Sequence, residues 1–423
     1  MNYDQKLASL RARKLRQTRE KIEREGVLDE DDYGRIVPPE GLWKIRPNHP
    51  DGSFYGFDAW TDNFCSLMAV HPVYVDPDDA FAGRWMYFMS KMRPNKWNPA
   101  YPYDHLKADI ARYDIICGIG DDAHFAPDYR MGLELGWGGL LEKIAACRKL
   151  NPSPGQQHFY DLHERAVRSV QGWIGRHIAE AERLAAEEPD AGRRDNLLAM
   201  AQVNRNILNR PPETLREACQ WIVWYHLASR TYNRDGAGAQ IDALLRPYYE
   251  RDKALGLTDD EAVYYLACLL INDPVYWQLG GPDETGRDQT SRISFLVLEA
   301  AGKIDTSLNI TVRVHDGLDP ELFRAAVACL IYAIVVLIRI LCGKYDEQKL
   351  PDITFELVDM TPETPADPET TPEETPEAAA EPETAPEETP EAKPEAETPA
   401  EPETPETPAE PEKSDETEDT PDA

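Results

Sequence analysis

The stretch Tyr276–Ala300, YWQLGGPDETGRDQTSRISFLVLEA, places a densely polar junction directly ahead of an apolar helix. Gly280 and Gly281 allow positive φ angles and the close approach of another backbone. Thr290 or Ser291 can cap the helix that follows. Taken alone, the junction is also compatible with a simple helix start, so its meaning depends on the segments around it.

Charge divides the chain into a body and a tail. Residues 357–423 carry a net charge of −22, and the preceding residues carry −10 of the total of −32. From Thr361 onward the sequence consists largely of Pro, Glu, Thr and Ala, with too few apolar residues to offset chain entropy. We therefore assign an N-terminal helix to 1–26, one domain to 27–342 and a disordered acidic tail to 343–423.

Composition and motifs argue against several classes of protein. The body lacks the basic surface that nucleic acids require, so no nucleic-acid partner is expected. The seven cysteines include no CxxC pair, which argues against a zinc site, and no metal is expected. The N-terminus has no apolar stretch typical of a signal peptide, so a cytoplasmic location is expected. No P-loop or His-Glu-x-x-His motif is present.

Hydrophobic periodicity predicts a helix-rich body. Helices are predicted at Asp4–Glu25 (basic and solvated), at Pro127–Leu150, and over Pro154–Asn209 with a break at EEPDAGRR. Further helices are predicted to begin at Thr214 and Thr258, and a strand is predicted at Leu308–His315.

An uninterrupted apolar run covers Ala325–Ile338 and contains 14 residues. A membrane span needs about 20 apolar residues, so this run is short for one. We favour a buried core helix, with a membrane anchor as the alternative.

Three stretches together resemble the glycyl radical enzymes of the pyruvate formate-lyase-like family. The first is DDAHFAPDYRMGLELGWGGLLEKI at Asp121–Ile144, which is similar to the family's His-x-x-Pro-Asp-Tyr and Leu-x-x-Gly helix. The second is NRDGAGAQIDALLRPYYERDKALGLTDDEAVYYLACLLIND at Asn233–Asp273. The third is the opening junction with LNITVRVHDGLDPELFRAAV after it. Each motif alone is weak, and their order and spacing carry the resemblance.

The resemblance implies an α/β fold: the N-terminal half of a ten-stranded barrel made of two five-stranded half-sheets. It also implies radical carbon–carbon cleavage, dehydration or decarboxylation of a small polar organic substrate. No bound cofactor is implied; the family stores a radical on a C-terminal glycine, which an activating enzyme that uses S-adenosylmethionine installs. A homodimer is left open.

Two of the family's catalytic elements have no counterpart in these 423 residues. The radical glycine lies in an Arg-Val-x-Gly-Tyr motif, and RVHDGL at Arg313–Leu318 differs from it in spacing and lacks the tyrosine. The family's catalytic cysteine follows a glycine, and neither Cys329 nor Cys342 does. The catalytic residues are therefore unknown, and the chain as given is expected to be an inactive N-terminal portion.

The resemblance places five candidate substrate-binding residues in the body: His124, Arg234, Asp235, Gln278 and Arg292. His124 either contacts substrate hydroxyls or is a hydrogen-bonded structural histidine, and Gln278 and Arg292 either face the pocket or are solvated or salt-bridged. Gly280 and Gly281 would form a structural turn at the pocket wall. Asp242 matches a family aspartate and is expected to be structural.

A non-enzymatic interpretation remains beside the radical enzyme. In it the body is a helical scaffold, or a membrane-anchored protein, and the acidic tail is a flexible segment that binds a partner.

Overall fold

Helices account for most of the described chain, and three short strands lie between them. The computed structural model describes residues 2–26, 35–50, 52–87, 89, 105, 107–113, 127–232, 238–272, 276–304, 306 and 308–341, without the side chains of 232 and 332–341. The helices are α1 Tyr3–Glu25, α2 Gly56–Val70, α3 Lys107–Arg112, α4 Tyr129–Leu150, α5 Pro154–Glu187, α6 Ala191–Ile207, α7 Leu215–Tyr232, α8 Ile241–Ala254, α9 Asp259–Asn272, α10 Arg292–Ile304 and α11 Pro320–Leu341. The strands are β1 Ala239–Gln240, β2 Trp277–Gly280 and β3 Ile310–Arg313.

Predicted helix starts coincide with side-chain caps. The Thr214 hydroxyl accepts a hydrogen bond from the Glu217 N–H (3.1 Å) at the start of α7. The Thr258 hydroxyl does the same for the Glu261 N–H (3.2 Å) at the start of α9. Asp128 caps α4 by accepting from a backbone N–H two residues on. These helix starts, and the break between α5 and α6, are confirmed, because capping and periodicity are local properties of the chain.

The first helix is packed rather than solvated, which corrects the prediction for it. Leu7 and Leu10 of α1 are buried, and the helix lies against α9 and α10. Farther along, Arg13 forms ion pairs with the buried Asp76 (2.7 Å) and Asp78 (3.1 Å). The apolar stripe consists of few residues in a strongly basic segment, so composition concealed a face that tertiary contacts bury.

The three strands form one parallel sheet in the order β1-β2-β3. Helices α8 and α9 connect β1 to β2, and α10 connects β2 to β3, as parallel neighbours require. Trp277 and Leu279 of β2 are fully buried on one face, where the Trp277 ring stacks on His226 of α7 at a centroid distance of 4.8 Å. The strand predicted at 308–315 is confirmed as β3. A five-stranded half-sheet remains a prediction, because the described residues contain three strands.

The apolar run after residue 324 forms a helix, α11, and that helix is buried on one side only along its described part. Leu322 near its start is buried, whereas Leu330 is 60% and Ile331 54% exposed. The core-helix prediction is met in part along 325–331, where Ala325, Ala326 and Cys329 pack against the core and the opposite side is exposed. Apolar composition does not say which side of a helix a neighbour covers. In the part of the chain that the structure describes, no helix is both long and apolar enough to cross a membrane.

Candidate functional site

The face of the sheet opposite Trp277 is polar. Side chains alternate along a strand, and residues paired across parallel strands point to the same side. Gln240 pairs with Gln278, Gln278 pairs with Thr311, and Gly280 pairs with Arg313. These residues therefore share one face, and Arg313 stands at the carboxyl end of β3. The carboxyl ends of parallel strands are where open α/β sheets bind ligands.

Three side chains of this polar face have no hydrogen bond or ion pair to any other residue within the described part of the chain: Gln278, Thr311 and Arg313. The fourth, Gln240, donates from Nε2 to the Gly280 carbonyl oxygen at 2.5 Å. Thr311 is exposed, and Gln278 and Arg313 are partly buried. The polar face thus presents an amide, a hydroxyl and a guanidinium that are available to a ligand.

The buried side chain of Asp242 connects the junction to the sheet through hydrogen bonds. Its side chain is fully buried and accepts hydrogen bonds from the Gly280 N–H (2.8 Å), the Ser294 hydroxyl (2.6 Å) and the Ala243 N–H (2.8 Å). Burial raises the pKa of the Asp242 carboxyl, and the hydrogen bonds from Ser294 and Gly280 lower it in part. One carboxylate thereby joins the end of β2 to the first turns of α8 and α10, which confirms its structural role.

Gly280 and Gly281 form a turn, and a side-chain cap starts the helix after it. Gly280 has φ 64° and Gly281 has φ 91°, so both lie in the left-handed region that favours glycine. The cap of α10 comes from neither Thr290 nor the Ser291 hydroxyl. Instead, the Ser294 hydroxyl accepts from the Ser291 N–H at 3.1 Å, the reverse half of a capping box.

The remaining acidic residues of the junction have partners of their own. Asp283 accepts from the Arg287 guanidinium at 2.9 Å. Asp288 pairs with His315 Nε2 (3.0 Å) and accepts from the Asp319 N–H (3.0 Å). The Gly317 N–H donates to His315 Nδ1, so Nε2 carries the proton directed at Asp288. The junction therefore holds three segments together: β2, α10 and the loop after β3.

We expect Asp242→Ala to lower the free energy of unfolding by roughly 2 to 3 kcal/mol, because it leaves two buried donors, the Gly280 N–H and the Ser294 hydroxyl, without a partner. Urea unfolding followed by tryptophan fluorescence measures the change. Asp283→Ala is the matched control, since Asp283 also accepts several hydrogen bonds but faces solvent, and we expect a smaller loss. Equal losses in the two variants would contradict the bracing role of Asp242.

The structure places only one of the predicted substrate-binding residues that it describes on the polar sheet face. Gln278 lies on the polar face. Arg292 does not reach that face: it is 54% exposed and pairs with Asp259 at 3.0 Å, the salt-bridged alternative. His124, Arg234 and Asp235 lie outside the described residues. Burial raises the pKa of the Cys329 thiol, which does not favour reactivity there.

Sequence reasoning missed Thr311 and Arg313. The signal was present in the alternation of LNITVRVH, which places both residues on one face of β3. Among the residues that the structure describes, no group of three His, Cys, Asp or Glu side chains is arranged to hold a metal ion.

Comparison with known proteins places this geometry in a family. The model of the family described as pyruvate formate lyase-like matches residues 113–337, which is more than half of the chain. The probable dehydratase YbiW of Escherichia coli is 30% identical over 240 residues, covering 49% of this chain and 30% of the relative. The isethionate sulfite-lyase of Nitratidesulfovibrio vulgaris is 26% identical over 260 residues, covering 53% and 31%.

A solved structure shares the fold. A glycyl radical enzyme from Archaeoglobus fulgidus superposes with a TM-score of 0.56 at 18% identity, covering 78% of this chain and 50% of that one. The aligned part of this chain spans less than a third of the length of the two curated relatives. The match of the family model over residues 113–337 establishes that the chain belongs to the pyruvate formate lyase-like family of glycyl radical enzymes.

Proposed function

We propose that the polar sheet face is one wall of a substrate chamber for a small polar organic molecule. The observation that carries this proposal is the set of unpartnered polar groups of Gln278, Thr311 and Arg313 at the carboxyl ends of parallel strands. An amide and a hydroxyl donate and accept hydrogen bonds, which suits a ligand with hydroxyl groups. Trp277 and Leu279 make the opposite face part of the core, so ligand binding falls to the polar side.

The reaction would be radical chemistry of the family's kind: dehydration, carbon–carbon cleavage or decarboxylation. The names of the two curated relatives speak of a dehydratase and a sulfite-lyase, which supports elimination from a small hydroxylated compound. The radical would come from a glycine and a cysteine that these 423 residues do not supply in recognisable motifs. Our proposal therefore assigns substrate binding to this chain and radical storage to a C-terminal segment that an activating enzyme modifies.

The residues around the polar sheet face would position the substrate. Asp242 holds Gly280 in place, and Gly280 ends β2 beside Arg313. The Gln278 amide would orient a substrate hydroxyl on the open face. A preorganised wall of this kind lowers the entropic cost of bringing the reacting bond to a radical centre.

We expect Gln278→Leu to weaken the binding of small diols two- to tenfold, the equivalent of one lost hydrogen bond of roughly 0.5 to 1.5 kcal/mol. Ligand-observed NMR titration of the full chain with propane-1,2-diol and ethane-1,2-diol measures the dissociation constants. Gln278 has no partner among the described residues, so stability should change little.

Gln202→Leu is the matched control, because Gln202 is exposed on α6 and bonds only locally, to Asn206. It should leave diol binding unchanged. If Gln278→Leu also leaves it unchanged, or if neither diol binds, the chamber is not formed by this face.

A further inference from the structure

Among the residues that the structure describes on the polar sheet face, Arg313 is the one cation, and its guanidinium has no acidic partner there. A Cβ atom added to Gly281 would lie 2.9 Å from Cζ, Nε and Nη1 of Arg313. The guanidinium therefore packs against the Gly281 backbone, and a larger residue at this position would displace the arginine head group. This contact explains the second glycine of the turn: besides its φ of 91°, Gly281 makes room for the arginine head group.

The carboxylates of the junction are engaged elsewhere. Asp242 accepts from the Gly280 and Ala243 N–H groups and from Ser294, and Asp283 pairs with Arg287. Asp288 pairs with His315. Within the described residues, Arg313 itself forms no ion pair and no hydrogen bond, although it is partly buried and stands at the carboxyl end of its strand. A partly buried guanidinium without a carboxylate partner among the described residues is suited to an anion that arrives with the ligand.

We propose that Arg313 is an anion anchor, which binds the carboxylate or sulfonate group of a small hydroxylated organic acid while Gln278 binds its hydroxyl group. The planar guanidinium fork can donate two parallel hydrogen bonds to such a group, which a lysine cannot. This inference rests on the proposed function, since it narrows the ligands of the same wall from polar molecules in general to anionic ones.

Matched ligand pairs test the anchor in the full chain. Lactate has a carboxylate where propane-1,2-diol has a hydroxymethyl group. Isethionate has a sulfonate where ethane-1,2-diol has a hydroxyl group. In wild type, each anion should bind more tightly than its neutral counterpart. Arg313→Gln should weaken both anions by about tenfold or more and change both diols less than twofold, the loss expected for a charge-assisted hydrogen bond.

Two further variants sharpen the result. Arg313→Lys keeps the charge and loses the fork, so its affinity for the anions should be intermediate. Arg287→Gln removes an arginine of the same junction that is 80% exposed and paired with Asp283, and anion binding should persist. Unchanged anion binding in Arg313→Gln, an equal loss in Arg287→Gln, or no anion binding in wild type would overturn the anchor.

The same titrations separate this inference from the proposed function. If diol binding depends on Gln278 but anion binding does not depend on Arg313, the proposed chamber is supported and the anion anchor is contradicted. If anion binding depends on Arg313 but diol binding does not depend on Gln278, the anion site exists without the proposed chamber.

Discussion

Lowering the pH from 7.5 to 5 should reduce the free energy of unfolding by about 4 kcal/mol through two buried histidines. His71 and His177 are both fully buried, and burial lowers the pKa of His71 to about 4 and that of His177 to about 3. Both rings lie against Trp173. The ordinary histidine pKa of 6.5 applies in the unfolded chain, so the unfolded chain binds protons that the folded chain does not.

Burial disfavours a second proton on either ring, and at His177 the hydrogen bond accepted by Nε2 acts in the same direction. His177 donates from Nδ1 to the Trp173 carbonyl oxygen (2.9 Å) and accepts the Tyr74 N–H at Nε2 (3.1 Å). A proton on Nε2 would face that N–H. His71 donates from Nδ1 to the Pro72 carbonyl oxygen (3.0 Å), and its buried Nε2 has no partner among the described residues.

The two low pKa values make the folded state less stable as the pH falls. Because both folded pKa values lie below 6.5, stability is unaffected above pH 6.5 and falls as the pH drops below it. At pH 5 each histidine contributes a loss of about 2 kcal/mol, since each pH unit below 6.5 corresponds to about 1.4 kcal/mol per proton taken up. The loss reaches its full size near the folded pKa values of about 4 and about 3.

Urea unfolding at pH 7.5, 6 and 5 measures this dependence. His177→Gln should remove about half of the difference between pH 7.5 and 5, and His71→Phe, which keeps a ring in the aromatic site, should remove the other half. His158→Gln is the control, because His158 is exposed and pairs with Asp58 at 2.7 Å. A pH dependence that persists unchanged in both buried variants would contradict the assignment.

Gly136→Ala should destabilise the protein by about 4 kcal/mol, combining backbone strain of roughly 1 to 3 kcal/mol with a steric clash of similar size. Gly136 interrupts α4 with φ 62° and ψ 179°, a conformation that is essentially restricted to glycine. A Cβ atom there would also lie 2.5 Å from the carbonyl carbon and oxygen of Arg210. Backbone atoms cannot rotate away, so the chain would have to shift.

Gly175→Ala is the matched control for the added methyl group. Gly175 lies inside α5, and a Cβ atom there meets nothing within 4 Å. Alanine is the better helix former, so we expect Gly175→Ala to stabilise the protein by about 0.5 to 1 kcal/mol. Urea unfolding midpoints of the two variants should therefore move in opposite directions. A loss below about 1 kcal/mol for Gly136→Ala would show that this turn tolerates a side chain, against the strain expected there.

The break at Gly136 also shows how local and tertiary information combine. The Leu-x-x-Gly pattern at Leu133–Gly136 supported the family resemblance, but periodicity predicted one continuous helix through it. The structure turns the chain at Gly136 and stacks the Trp137 ring on Trp221 at a centroid distance of 5.2 Å. A single glycine in a helical pattern does not distinguish a tolerated residue from a required one.

Gly280 and Gly281 adopt the expected positive φ angles, and Gln278 lies on the polar face of the sheet. Substrate binding by Gln278 stays a prediction. Of the two alternatives for Arg292, the structure shows the salt bridge, whose partner Asp259 is distant in the sequence. The strand predicted at Leu308–His315 contains Arg313, but a strand pattern does not say which strand lies beside it, and its pairing with β2 places Arg313 on the same face as Gln278.

The sequence by itself determined the helices with their caps, the alternation of β3, and the motif order that identifies the family. These features depend on residues a few positions apart, where period and capping chemistry decide the outcome. Only the tertiary structure decided that α1 is packed, that α11 exposes apolar side chains, and that Gln278 and Arg313 share a face. Strand register and the pairing of distant charges depend on packing between segments far apart in the chain, which no local pattern specifies.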